Sequence, residues 1–117
     1  MNLYVLLDHD EPQALADDLM AHINNWLRDS ELDAKALDIR SENSNEWQLG
    51  VQFECQRKMV LKQPLDFLFK LAKKMECEFV IGCYDKASGN REDVCYFGYE
   101  EGRPDMDEVG IYLGLKR

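Results

Sequence analysis

Asp8, His9, Asp10 and Glu11 place three carboxylates and an imidazole directly after a short apolar run, Leu3 to Leu7. Such groups ligate divalent cations, and a strand end is a common place for a site. Consecutive side chains point in different directions, however, so only a subset can converge on one ion. The same carboxylates also suit a helix start. Asp10 and Glu11 complement the positive end of a helix dipole, and Asp10 with Gln13 has capping-box spacing. The helix reading takes precedence, leaving Asp8, His9 and Asp10 as secondary metal candidates and no metal or cofactor assigned.

A second acidic group, Glu100, Glu101, Asp105, Asp107 and Glu108, surrounds Gly102 and Pro104 and reads as an exposed loop. It has no EF-hand spacing. A dense acidic surface speeds association with a basic partner. Close by, Tyr84, Tyr96, Phe97, Tyr99 and Tyr112 recur through strand-like sequence, and strand alternation cannot place all of them on one face. Some rings must be exposed, and exposed tyrosines favour protein contacts. Stacking on RNA would call for a basic surround and a glycine-aromatic signature, and neither is present. The expected partner-binding residues are therefore Tyr84, Tyr96, Tyr99, Glu100, Glu101, Asp105, Asp107 and Glu108.

Other candidates point to bland roles. Arg57, Lys58, Lys62, Lys70, Lys73 and Lys74 form the one basic segment, a possible anion surface. Lys73 and Lys74 suit a helix C-terminus, and a neighbouring helix carrying Asp17 and Asp18 would neutralise the row. Cys55, Cys77, Cys83 and Cys95 have neither CxxC nor zinc-ligand spacing and read as reduced, buried thiols. His22 lies among apolar residues, no nucleophile motif accompanies either histidine, and phosphate-binding loops are absent. A non-enzymatic role is expected.

The 117 residues suit one domain. Their 23 acids and 14 bases give a net charge of -9, with 11 acids against 3 bases in residues 1–50. That charge disfavours a nucleic-acid backbone as partner. With neither a signal peptide nor a membrane-length apolar run in sight, a cytoplasmic protein without membrane association is expected.

Leu3–Asp8, apolar on both faces, reads as a central strand. A helix with a stripe of Leu15, Leu19, Ile23 and Trp26 or Leu27 follows from Asp10 to about Asp29. Ala34–Ser41 reads as an edge strand, and Glu42, Asn43, Ser44 and Asn45 as a turn. Trp47, Leu49, Val51, Phe53 and Cys55 alternate with polar residues as in a half-buried strand. Pro64 opens a second helix bearing Leu65, Leu68, Ala72 and Met75. Phe79–Tyr84 and Asp93–Glu100 form a hairpin through Ala87 to Asn90, and Val109–Leu115 is a last strand. The fold class this predicts is α+β, a single domain from 1 to 117: a ferredoxin-like two-layer sandwich, βαββαβ plus a C-terminal β-hairpin extension, with two helices on one face of an antiparallel sheet.

Architecture shared by many proteins does not name a function. The acidic loop, the tyrosines and the charge point to an interaction domain, immunity- or inhibitor-like, whose partner is another protein. The alternatives are a small-ligand or divalent-metal domain at the Asp8–Glu11 corner and a homodimeric structural module.

Overall fold

A computed structural model of the chain describes residues 1–41 and 47–115. The turn expected at Glu42, Asn43, Ser44 and Asn45 lies outside the described residues. The elements run β1 (Asn2–Asp8), α1 (Pro12–Asp29), β2 (Ala34–Ile39), β3 (Gln48–Glu54), a 3-10 turn (Lys58–Leu61), α2 (Lys62–Met75), β4 (Glu78–Tyr84), β5 (Arg91–Gly98) and α3 (Met106–Leu113). The protein is thus α+β, with five strands and three α-helices among the described residues.

The strands form one sheet in the order β2-β3-β1-β4-β5, and every neighbouring pair is antiparallel. β1 is central, as its unbroken apolar run requires, and β2 is an edge. Alternation divides β3: Leu49, Val51 and Phe53 are buried in the main core, and Gln48 and Gln52 point the other way. That core also takes Leu3, Val5 and Leu7 of β1, Leu19 and Ile23 of α1, Leu65 and Leu68 of α2, and Val109 and Leu113 of α3. α1 and α2 meet through Trp26 and Phe67, whose rings stack 4.6 Å apart.

β4 and β5 slip by one residue between Ile81 and Gly82. Ile81 pairs with Cys95 and Gly82 with Asp93, so Val94 is the extra residue of a bulge. Val94 and Cys95 both pack toward the main core, and Phe97 follows them to lie 5.7 Å from Phe79. The bulge leaves Asp93 and Tyr96 on the opposite face.

Several expectations need correction. The strand expected over Val109–Leu115 is the helix α3. The Asp105 carboxylate accepts the amides of Asp107 and Glu108 at its N-terminus, and Gly114, at φ 69°, ends it. The expected C-terminal β-hairpin extension is therefore one added strand, β5, followed by a helix. Asp10 does not cap α1: Glu11 holds the N-cap position, without a side-chain cap, ahead of Pro12 in the first turn. α2 begins at Lys62, carried directly out of the 3-10 turn, rather than at Pro64. Among the described residues no ion pair joins Asp17 or Asp18 to the α2 lysines. Asp17 pairs with Arg40 at 3.0 Å, and Lys73 lies 5.8 Å from the Phe69 ring.

Candidate functional site

The two acidic sequence groups meet at one end of the sheet. Asp8, the last residue of β1, is the register partner of Glu78, the first of β4, and Glu78 in turn pairs with Gly98 at the end of β5. Glu76, left-handed at φ 54°, makes the turn out of α2 that delivers Cys77 and Glu78 into β4. Beyond β5, Gly98 and Gly102 exchange both backbone hydrogen bonds, at 3.0 and 2.8 Å, closing a tight turn over Tyr99, Glu100 and Glu101.

This turn is anchored from below. The Tyr99 amide donates to the Cys77 carbonyl at 3.0 Å. The Glu78 carboxylate accepts the Glu100 amide at 3.0 Å and the Glu101 amide at 2.8 Å. Charge-assisted bonds of this kind are stronger than neutral ones. The result is a concave site of about 340 Å³ lined by Asp8, His9, Asp10, Glu76, Cys77, Glu78 and Glu100. Among the described residues no lysine or arginine lines it.

His9 has a local duty here. Its Nδ1 accepts the Glu11 amide at 2.9 Å, fixing the corner between β1 and α1. A neutral ring in that arrangement carries its proton on Nε2, so taking a cation through Nε2 would forfeit the bond. Among the described residues no group of three or more histidine, cysteine, aspartate or glutamate side chains is placed to hold a metal ion. The arrangement is suited to attracting cationic groups by its field rather than to chelating an ion.

The eight residues expected to bind a partner fall in several places. Glu100 and Glu101 belong to the acidic turn, beside Tyr99, which is 50% exposed. Asp105 is spent on capping α3, Asp107 pairs with Lys58, whose stem packs against Gly110, and Glu108 lies exposed on α3. Tyr96 is half exposed on the sheet face away from the main core. Tyr84 sits at the opposite end of β4 from Glu78 and donates to Gln52 at 3.3 Å. Sequence reasoning missed Glu76 and Glu78, because their place in the site depends on strand register.

The sheet face away from the main core carries a second, smaller buried group of Tyr4, Leu6 and Val80, with Leu37 and Tyr84 against it. Tyr4 is only 2% exposed. Its ring occupies the space above Gly82, where a Cβ would lie 2.4 Å from ring carbon Cζ. Its hydroxyl donates to Asp93, and the Arg91 guanidinium lies 4.6 Å from the ring centroid. Burial, then the bond to Asp93, pushes the phenol up to about 12, against a smaller opposing effect of Arg91.

All four cysteines are free, and burial raises each thiol above its ordinary value. Cys77 is pushed up to about 11, first by burial and then by the charge of Glu78. Such thiols are poor nucleophiles at neutral pH. No helix among the described residues is long and apolar enough to cross a membrane. Comparison with known proteins finds no matching family model, no matching curated protein and no matching solved structure.

Proposed function

We propose that this chain is a non-enzymatic interaction domain of the cytoplasm, immunity- or inhibitor-like, that docks a basic protein surface with the acidic end of its sheet. The observation that carries this reading is the convergence of Asp8, Asp10, Glu76, Glu78 and Glu100 on one concave site that, among the described residues, has no lining lysine or arginine. Clustered carboxylates in a concavity favour arginine or lysine side chains projecting from a partner, and the surrounding -9 charge steers the encounter. Exposed Tyr99, at the rim, supplies a ring of the kind enriched at protein contacts.

The same proposal assigns the first six strands and helices to the ferredoxin-like arrangement. Its support is the order β2-β3-β1-β4 that remains when β5 is set aside, with a helix in each crossover.

Capture from native cytosol tests the functional reading. The protein is expected to retain a basic partner, to release it with rising salt, and to lose it in a variant combining Asp8→Lys with Glu100→Lys. Glu108→Lys on α3 is expected to retain the partner. Equal retention by the double variant and the parent, or no retained protein, would sink the proposal.

A further inference from the structure

On the sheet face away from the main core, one position in the middle of β3 is bare. Gly50 is the register partner of both Leu6 and Leu37, and Gln48 and Gln52 flank it along the strand on the same side. A Cβ there would lie 1.9 Å from the Val5 carbonyl oxygen, so β1 approaches too closely for any side chain at this position. On the same face lies a groove of about 200 Å³, lined by those four side chains with Tyr4, Ile39 and Arg91 among the others.

The lining has a defined chemistry. Leu6 and Leu37 make the sides apolar, and Gln48 and Gln52 offer amide groups. Among the described residues Arg91 is the one cation in the lining. It is held over Tyr4 by its ring contact and, among the described residues, makes no ion pair. The nearest carboxylate on its own strand face, Asp93, already accepts the Tyr4 hydroxyl. A guanidinium has five N–H donors, so Arg91, engaged by Tyr4, still has donors whose fork matches a carboxylate.

Size selects the ligand further. At about 30 Å³ per water, the groove has room for roughly seven non-hydrogen atoms, with more where a ligand reaches into its open side. A second copy of the chain would instead have to cover the whole face.

We infer that this groove is a binding site for a small monocarboxylate with a branched or cyclic apolar body, its carboxylate on Arg91 and its body against Leu6, Leu37 and Ile39. The acidic end of the sheet does not oppose this. Arg91 starts β5 at the end of the sheet where β1 begins, and the acidic site lies where β1 ends, about 20 Å away. That distance exceeds the Debye length of ~8 Å at physiological ionic strength. The site is separate from the docking surface proposed above, so either can fail without the other.

Titration of the isotopically labelled full chain with isocaproate and phenylacetate, followed by amide chemical shifts, tests the inference. Saturable shifts are expected at Leu37, Gly50 and Gln52. Neutral isocaproamide is expected to bind at least about tenfold more weakly, and Arg91→Gln to cost the carboxylates about ten- to a hundredfold, as loss of a charged hydrogen-bonding partner does. Because Arg91 also packs on Tyr4, a second variant, Leu37→Glu, places a carboxylate in the groove without touching that contact. It is expected to abolish binding while leaving the remaining spectrum intact. Equal affinity for isocaproamide, shifts confined to the acidic end, absence of saturable shifts, or unchanged binding by Leu37→Glu would overturn the site. So would probe-free shifts at the same amides that grow with protein concentration alongside a doubled mass, which would make the occupant a second copy.

Discussion

The two faces of the sheet solve the same problem at different scales. On one, three helices supply Leu19, Ile23, Leu65, Leu68, Val109 and Leu113 to cover the alternate residues of every central strand. On the other, among the described residues, no helix takes part, and burial of Tyr4, Leu6 and Val80 is achieved by side chains lying over their own sheet. The first face is a packed interior whose energy is mainly apolar area. The second depends on a few specific contacts, Tyr4 to Asp93 and Arg91 over Tyr4, and on glycines that leave space for or beside them. Apolar burial thus tolerates substitution in graded fashion, whereas the open face should respond to single atoms.

The largest break in this comparison is expected on the packed side. Phe79→Ala removes a fully buried ring stacked on Phe97, and chemical denaturation should show a loss of about 3–5 kcal/mol. Gly50→Ala comes next. The added methyl meets backbone rather than a movable side chain, so a loss of about 2–3 kcal/mol is expected, with amide shifts in β1 showing displacement around Val5. A milder outcome, under about 0.5 kcal/mol, would mean that β1 and β3 yield easily and that the open face is not held by close approach.

The smallest effect sharpens the comparison by pH. Tyr4→Phe leaves the Asp93 carboxylate without its donor and is expected to cost about 1–2 kcal/mol at neutral pH. The folded state holds the phenol protonated up to about 12, above its ordinary value of 10. Its contribution is therefore fully present below pH 10 and lost as pH rises from 10 toward 12. Tyr4 should ionise late in an ultraviolet titration, and that late step should vanish in Tyr4→Phe.

Much of the fold was legible because its patterns were unambiguous. The apolar run of β1 placed it centrally, and the strict alternation from Trp47 to Cys55 separated Leu49, Val51 and Phe53 from Gln48 and Gln52 before any coordinates. α3 was misread because its sequence satisfies two periods at once. Val109, Ile111, Leu113 and Leu115 alternate like a strand, while Met106, Val109, Gly110 and Leu113 recur like a helix face. The Asp105 cap and the Gly114 stop favour the helix, leaving Ile111 79% exposed on its outer side. The acidic site was half legible. Asp8, Asp10 and Glu100 were recognised singly, but their convergence rests on Asp8 pairing with Glu78 and on Glu78 reaching the turn at Glu100. No spacing rule within one segment encodes a register between strands 70 residues apart. Tyr4 lacked any sequence signal, since its partners Arg91 and Asp93 come from the last strand.

The four raised thiols have a consequence for time rather than structure. Alkylation and disulfide exchange proceed through the thiolate, which burial suppresses in Cys55 and Cys77 while the native packing lasts. Each of these sulfurs reacts at the frequency with which its surroundings come apart, so the chain carries its own clocks for local opening. Cys55 follows β3 where β1 begins, and Cys77 precedes β4 where β1 ends. The pair would tell which end of the sheet lets go first.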